Sequence, residues 1–255
     1  DFDLTIPIAG NLGDSHAALF GQHCFKPGMG KATYGTGSSI MLNIGNKPLE
    51  CPKGLVTSIG WGTNREIVYV FEGNIHCTGD TINWLVNDIG LLADAKSSEE
   101  IALSVTDNNG VYLVPAFVGL GAPYWNNIAR AIITGMPRST KKAHIVRAAL
   151  EAIAYQVRDL VDLMTKDSGV NLIELMFDGG PTRNAFLMQF QADILNSSIN
   201  RCDITEVSAL GSAYMAGLAT GVWKNPEEIK ALRGQGEIFT GKMSEEQRNK
   251  LYNGW

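Results

Sequence analysis

Residues 172–190 limit the folds open to this chain more than any other stretch. Leu172, Ile173, Leu175, Met176 and Phe177 make a short apolar run that ends in Asp178-Gly179-Gly180. Beyond Arg183, the residues Phe186, Leu187, Phe190 and Ile194 recur at the spacing of one helix face. The reading is a buried strand, a two-glycine turn and a packed helix. Glycines at such a turn let a ligand approach the backbone, and a helix start presents unpaired N–H groups. The stretch suits a nucleotide seat, and it equally suits an ordinary tight turn before a packed helix.

The same alternation organises the rest of the chain. Short strands are predicted over 5–9, 31–34, 39–44, 55–61 and 66–72, with Gly35-Thr36-Gly37 joining the second and third as a hairpin and Gly62-Thr63-Asn64 joining the last two. A helix is predicted from 15 to 24, and two more over 81–89 and 99–105. Val111–Phe117 reads as a buried strand and Ala131–Thr134 as a short one. The longest helix follows Ser139-Thr140 and runs to about Lys166, with Val146, Ala149, Leu150, Ile153, Val157, Leu160, Val161 and Met164 on one face and Gly169 as its stop. A strand near 199–202, a small-residue helix over 208–220 and polar surface helices over 225–255 complete the pattern. Strands in a run, then alternating with helices, predict one α/β domain over residues 1–255, a mixed sheet with helices on both faces.

Composition narrows the partners. A net charge of −5 gives no basic footprint for nucleic acid or an anionic membrane. Any anionic ligand must then be held by local N–H groups or a metal ion. Cys24, Cys51, Cys77 and Cys202 form no Cys-x-x-Cys and have no histidine at ligand spacing, which argues against structural zinc and for reduced thiols in a cytoplasmic setting. The sequence has no membrane-length apolar run. It opens at Asp1 without an initiator methionine, as an excised domain or fragment would.

Three segments could carry chemistry. Asp14, in Gly13-Asp14-Ser15-His16, stands at a helix start, where the dipole favours a carboxylate that could act as general base. A plain N-cap aspartate is the commoner use of such a residue, and His16 reads as packing. Tyr34-Gly35-Thr36-Gly37-Ser38-Ser39 puts hydroxyls and pliant backbone in a hairpin turn that could wrap phosphate oxygens, or could simply turn the chain. It is not a P-loop. Gly119–Trp125 could be a functional loop, but its aromatics and proline suit an aromatic-anchored structural turn better.

Taken in order, these motifs resemble the C-terminal domain of the FGGY family of carbohydrate kinases, most closely its glycerol kinase branch. The resemblance runs from Gly13-Asp14 and Ala17–Gln22 through Thr33–Gly37, Val114–Phe117, Gly119–Trp125 and Leu150–Asp159 to Asp178-Gly179-Gly180, Asn184 and Ala209-Leu210-Gly211. It implies a ribonuclease-H-like domain of the actin/hexokinase type. It also implies transfer of the ATP γ-phosphoryl group to a polyol or sugar hydroxyl with Mg²⁺. By the same resemblance Asp14 is the general base, reaching the metal only through water. Thr36 contacts the nucleotide phosphates, Gly79 and Asn83 lie along the nucleotide, and Gly180 and Asn184 line the adenosine pocket. The partner domain, an N-terminal one, is absent from these residues, so the chain alone is expected to be inactive; association with further copies of itself stays open.

Two positions depart from the branch pattern. Ser15 follows the base where glutamine is usual, and Ser39 stands where a phenylalanine packs on glycerol. Both belong to the substrate side with Asp14. The exchange predicts a roomier, more polar pocket, suited to a tetritol, pentitol or ketopentose as in a xylulokinase-like enzyme. A non-catalytic actin-like nucleotide-binding module is the other reading.

Overall fold

The structure, a computed structural model, describes residues 6–63, 66–166, 168–232, 234 and 236–255. The chain begins with helix α1 (Asp14–Gly21) and strands β1 (Met29–Tyr34), β2 (Ser38–Gly45), β3 (Val56–Gly62) and β4 (Ile67–Ile75). Helices α2 (Gly79–Asn87) and α3 (Ser97–Leu103), strands β5 (Tyr112–Val114) and β6 (Ile132–Thr134) and the long helix α4 (Lys142–Lys166) follow. Strand β7 (Glu174–Asp178), a 3-10 turn (Gly180–Arg183), α5 (Ala185–Leu195) and β8 (Ile199–Arg201) come next. The last elements are α6 (Val207–Thr220), α7 (Pro226–Lys230), β9 (Glu237–Phe239) and α8 (Glu245–Gly254).

Seven strands form one mixed sheet in the order β3-β4-β2-β1-β7-β8-β9. β1, β2, β4 and β3 pair antiparallel, β7 runs parallel to β1 and β8 parallel to β7, and β9 closes the edge antiparallel to β8. Because side chains alternate along a strand, the sheet has two distinct faces. On one, Ile40, Leu42, Phe71, Leu175 and Phe177 meet Leu150, Ile153, Val157 and Leu160 of α4 and Leu187 and Phe190 of α5. Each such side chain, fully buried, stabilises the fold by about 1.5–3 kcal/mol. On the other face, Met29, Met41, Val70 and Met176 meet Leu19 and Phe20 of α1 and Tyr214 and Met215 of α6.

Helices α1 and α6 touch backbone to backbone. A Cβ at Gly211 would overlap the Ala17 carbonyl, and one at Gly21 the Val207 carbonyl. The run of small residues in α6 therefore serves close helix packing.

The α/β reading, with helices on both faces of a mixed sheet, agrees with the structure, and three local expectations change. Residues 6–9 form no strand, with Ile6 and Ile8 exposed, and Thr5 lies outside the described residues. So does Asn64 of the expected 62–64 turn. Only Tyr112–Val114 of the 111–117 segment is strand, paired with β6 in a separate two-stranded sheet. Pro115 has no N–H for a ladder, and the Ala116 N–H turns back to the Val114 carbonyl. Finally, the tail expected to be all helix contributes β9, which inserts Phe239 into the core. Among the described residues no helix is long and apolar enough to cross a membrane.

Candidate functional site

The α1/α6 face is apolar at one end of its strands and polar at the other. Strand register sets Met176, Lys31, Met41 and Glu72 in one cross-strand row, and Asp178, Thr33, Ser39 and Asn74 in the next. The second row lies at the carboxyl ends of the parallel strands β1 and β7, the end where open α/β sheets take ligands.

Asp14 opens α1 beside this polar end. Gly13, not Asp14, is the N-cap residue, so the simple capping alternative does not describe it. The Asp14 carboxylate is exposed and accepts the Ser15 N–H at 2.6 Å. Ser208 of α6 donates its hydroxyl to the Asp14 carbonyl at 2.9 Å, which fixes the backbone there. His16, read as packing, lies 3.3 Å from the Ser58 hydroxyl through Nε2 and joins α1 to β3. Ser15 is half-buried next to Asp14. Ser39 is half-buried in the polar row, its hydroxyl oxygen shielded from water and without a hydrogen-bond partner.

Lys31 lies beneath the polar row, fully buried. Its ammonium donates to the Thr33 hydroxyl at 3.1 Å. Burial lowers its pKa to about 8, against the attraction of Asp178, Glu72 and Asp14. Asp178 is raised by burial, opposed by Thr33, Lys31 and Gln22, and it accepts the Gln22 side-chain N–H at 2.5 Å. Neither Lys31 nor Glu72 stands out in the sequence, where each is one charge inside an apolar strand. A lysine between Gly30 and Ala32 is the only signal that could have raised the question.

Three glycine turns meet at the same end. The Thr78 and Asp80 N–H groups donate to the Thr36 carbonyl at 2.8 and 3.1 Å, and the Gly79 N–H to the Gly35 carbonyl at 2.9 Å. The hairpin turn thus satisfies the first N–H groups of α2. A Cβ at Gly79 would overlap the Gly35 carbonyl and reach Pro181, and one at Gly179 would overlap the Tyr34 carbonyl. Gly179 also holds φ +96°, a conformation suited to glycine. Gly180 differs: a Cβ there would meet nothing within 4 Å, so its exposed surface is open to a ligand. Thr36 and Asn83 are also exposed, Asn83 standing one helical turn beyond Gly79.

Asn184 lies at the far side of this wall as the N-cap of α5. Its side chain accepts the Leu187 N–H at 2.9 Å and donates to the Ser98 hydroxyl at 3.1 Å. The Ala185 N–H is taken by Glu99 at 2.7 Å. The expectation that this helix start offers unpaired N–H groups is therefore corrected: at Ala185 and Leu187 they are used within the protein. A shallow hollow lined by Glu99, Leu103, Ala185 and Phe186 opens beside the cap.

The Gly119–Trp125 turn is held as packing would have it. Ala122 donates its N–H to the Asn74 carbonyl at 2.9 Å, and the Trp125 indole donates to the Gly54 carbonyl at 2.7 Å. Among the described residues no three carboxylate, imidazole or thiol groups gather at one point. Mg²⁺ commonly rests on waters, phosphate oxygens and one or two carboxylates, and a single exposed carboxylate at Asp14 fits that mode.

Comparison with known proteins accords with this arrangement. The pattern of the FGGY family of carbohydrate kinases, C-terminal domain, matches residues 30–220. The glycerol kinase of Caldanaerobacter subterraneus subsp. tengcongensis is 52% identical over 254 residues, covering 100% of this chain and 51% of the relative. Glycerol kinase 2 of Thermotoga maritima is 51% identical over the same length and shares. The chain thus spans about half the length of the curated relatives it matches. The structure of Plasmodium falciparum glycerol kinase with ADP superposes with a TM-score of 0.92 at 39% identity, over 99% of this chain and 50% of that one. The xylulose kinase of Lactobacillus acidophilus, at 19% identity and a TM-score of 0.83 over 94% of this chain and 48% of that one, shares the fold. The chain belongs to the FGGY family of carbohydrate kinases, which it matches through the family's C-terminal domain.

Proposed function

We propose that this chain is the nucleotide-binding half of a kinase that transfers the γ-phosphoryl group of ATP to a hydroxyl of a small polyol or sugar. The observation that supports it best is the meeting of the Thr36, Gly79 and Gly179–Gly180 turns at the polar strand end beside Asp14. Phosphoryl transfer asks for positioning and charge compensation more than covalent chemistry. In this reading Thr36 contacts the phosphates, Gly79 and Asn83 flank the nucleotide, and the bare backbone of Gly180 lets adenosine lie close. Asn184, already spent as a cap, shapes the adenosine wall.

Asp14 takes the proton of the acceptor hydroxyl as its oxygen bonds to the γ-phosphorus and the bond from that phosphorus to ADP breaks. A Mg²⁺ bound with ATP neutralises phosphate charge there. Residues 1–255 act as one C-terminal domain that closes on an N-terminal domain carrying the rest of the substrate contacts, in the cytoplasm where ATP is available. Steady transfer by the purified 255-residue chain alone would refute that division of labour. In the complete kinase, Asp14→Asn is expected to lower kcat by about 10²–10⁴-fold. Unchanged turnover would reject the base assignment, and nucleotide binding without transfer by the wild type would favour a non-catalytic module.

A second reading concerns the acceptor. The relatives named above are glycerol kinases, yet Ser15 and the partnerless Ser39 hydroxyl favour a larger polyol or ketopentose. A panel of glycerol, tetritols, pentitols and ketopentoses decides it, and a clear preference for glycerol ends the larger-substrate reading.

A further inference from the structure

Two pieces of the proposed site lie on different parts of the chain. Asp14 begins α1, and the Gly179–Gly180 wall follows β7. A buried polar chain joins that wall to the C-terminal end of the helix that Asp14 begins. Gln22, the residue that ends α1, donates to Asp178 at 2.5 Å, and Asp178 leads directly into Gly179. Asp178 is the cross-strand neighbour of Thr33, which accepts the Lys31 ammonium at 3.1 Å and sits three residues before Thr36. Gln22, Lys31 and Asp178 are each at most 5% exposed. The groups facing Lys31 are Asp178 on β7, Glu72 on β4, and Asp14 and Cys24 at the two ends of the α1 segment. One buried cation therefore lies among three carboxylates, one of them the proposed base.

We propose that Lys31 is a positioning residue for phosphoryl transfer: through Thr33, Asp178 and Gln22 it holds the C-terminal end of α1, the helix that Asp14 begins, together with the Thr36 turn and the Gly179–Gly180 turn in one fixed relation. The inference rests on the kinase reading above. A buried lysine is a costly choice for stability alone, since an apolar side chain of similar volume usually serves a core as well or better. The row itself supplies the comparison, because the neighbours of Lys31 on both sides are methionines, Met41 and Met176. Replacing the lysine with a third methionine keeps the volume and removes only the charge and its bond.

The test is Lys31→Met in the complete kinase, with Asp14→Asn as the control and Lys31→Arg as the charge-retaining variant. Lys31→Met is expected to fold with an equal or higher Tm. Its kcat should fall at least about tenfold while KM for ATP and acceptor stays within about twofold, the mark of an interaction used in the transition state. Lys31→Arg should recover part of kcat. In the wild type, kcat should fall as pH rises through about 8, where Lys31 loses its proton, and that limb should be missing in Lys31→Met. A change in Tm or KM with kcat and pH profile intact would show a merely structural residue and overturn the proposal. If Lys31→Met does not fold, Gln22→Leu cuts the same chain from α1; a kcat loss at constant KM supports the proposal, and unchanged kcat overturns it. A wild type without transfer overturns the kinase reading together with this inference. An active wild type with an unaffected Lys31→Met overturns this inference alone.

Discussion

The two faces of the central sheet bury side chains of similar size but treat polar groups differently. Under α4 and α5 the core polar groups pair largely with one another: Tyr34 donates to Gln191 at 2.6 Å, Gln191 donates to the Ala154 carbonyl at 3.3 Å, and Glu151 is held by Arg147 and Asn108, with the Tyr155 hydroxyl left over. Under α1 and α6 the apolar packing stops part-way along the strands. There the Ser39 hydroxyl and the Gln22 side-chain carbonyl are shielded from water without a partner. Buried polar atoms are normally satisfied, and Ser39 and Gln22 are left over at the polar strand end where the site is proposed. On the proposed reading, one face supplies stability and the other supplies chemistry.

Substitutions should keep these two roles apart, and the comparison breaks wherever they do not. The largest effect belongs to Asp14→Asn, which should lower kcat by about 10²–10⁴-fold and leave the urea midpoint unchanged, since the side chain is exposed. On the opposite face, Ile153→Ala should cost about 2–5 kcal/mol in urea unfolding, while kcat per folded molecule is retained. A loss of kcat in the folded fraction would show that α4 reaches the chemistry.

Lys31 allows a third test, by pH. Its folded pKa of about 8 lies below the 10.5 of an unperturbed lysine. Between those values the unfolded chain binds the extra proton, so this group makes stability rise with pH across the window, by roughly 3 kcal/mol in all. Urea titrations of wild type and Lys31→Met should therefore diverge most near pH 7 and converge by about pH 10.5. A constant difference would mean the ammonium is not desolvated.

Tyr34→Phe strands the buried Gln191 carbonyl oxygen and should cost about 1–3 kcal/mol without changing kcat. The smallest effect is that of Asn184→Ala, which removes a cap worth about 1 kcal/mol from α5. ATP titration of the same variant separates the cap from a contact with adenosine. Unchanged affinity would leave Asn184 a purely structural residue.

The elements that were legible in the sequence are those whose own pattern decides them. The apolar stripe of α4, the hairpin around Gly35–Gly37 and the strand-to-turn passage at Asp178 each carry their signal within a few residues. What escaped depends on partners far along the chain. β9 is only three residues long, too short to carry a period of its own, and it becomes a strand because β8 offers an edge to pair with. Val111–Phe117 is apolar enough for a strand, but Pro115 and a neighbour as short as β6 limit it to three residues. The site divides in the same way. Asp14, Thr36 and Gly180 lie in recognisable turns, whereas Lys31, Glu72 and Asn74 become a group only through register across β1, β2 and β4. No local pattern encodes that register.

The contact between α1 and α6 has a consequence for how the protein is made. Asp14 leaves the ribosome 194 residues before Ser208, whose hydroxyl bonds its carbonyl, and the backbone against which α1 rests is that of Gly211. Synthesis proceeds at about 5–20 residues per second, so the proposed base waits many seconds for its support. A nascent chain that has not reached α6 carries the proposed base without its seat. Competence for phosphoryl transfer should then arrive late and all at once, and a half-made chain should have no means of spending ATP on water.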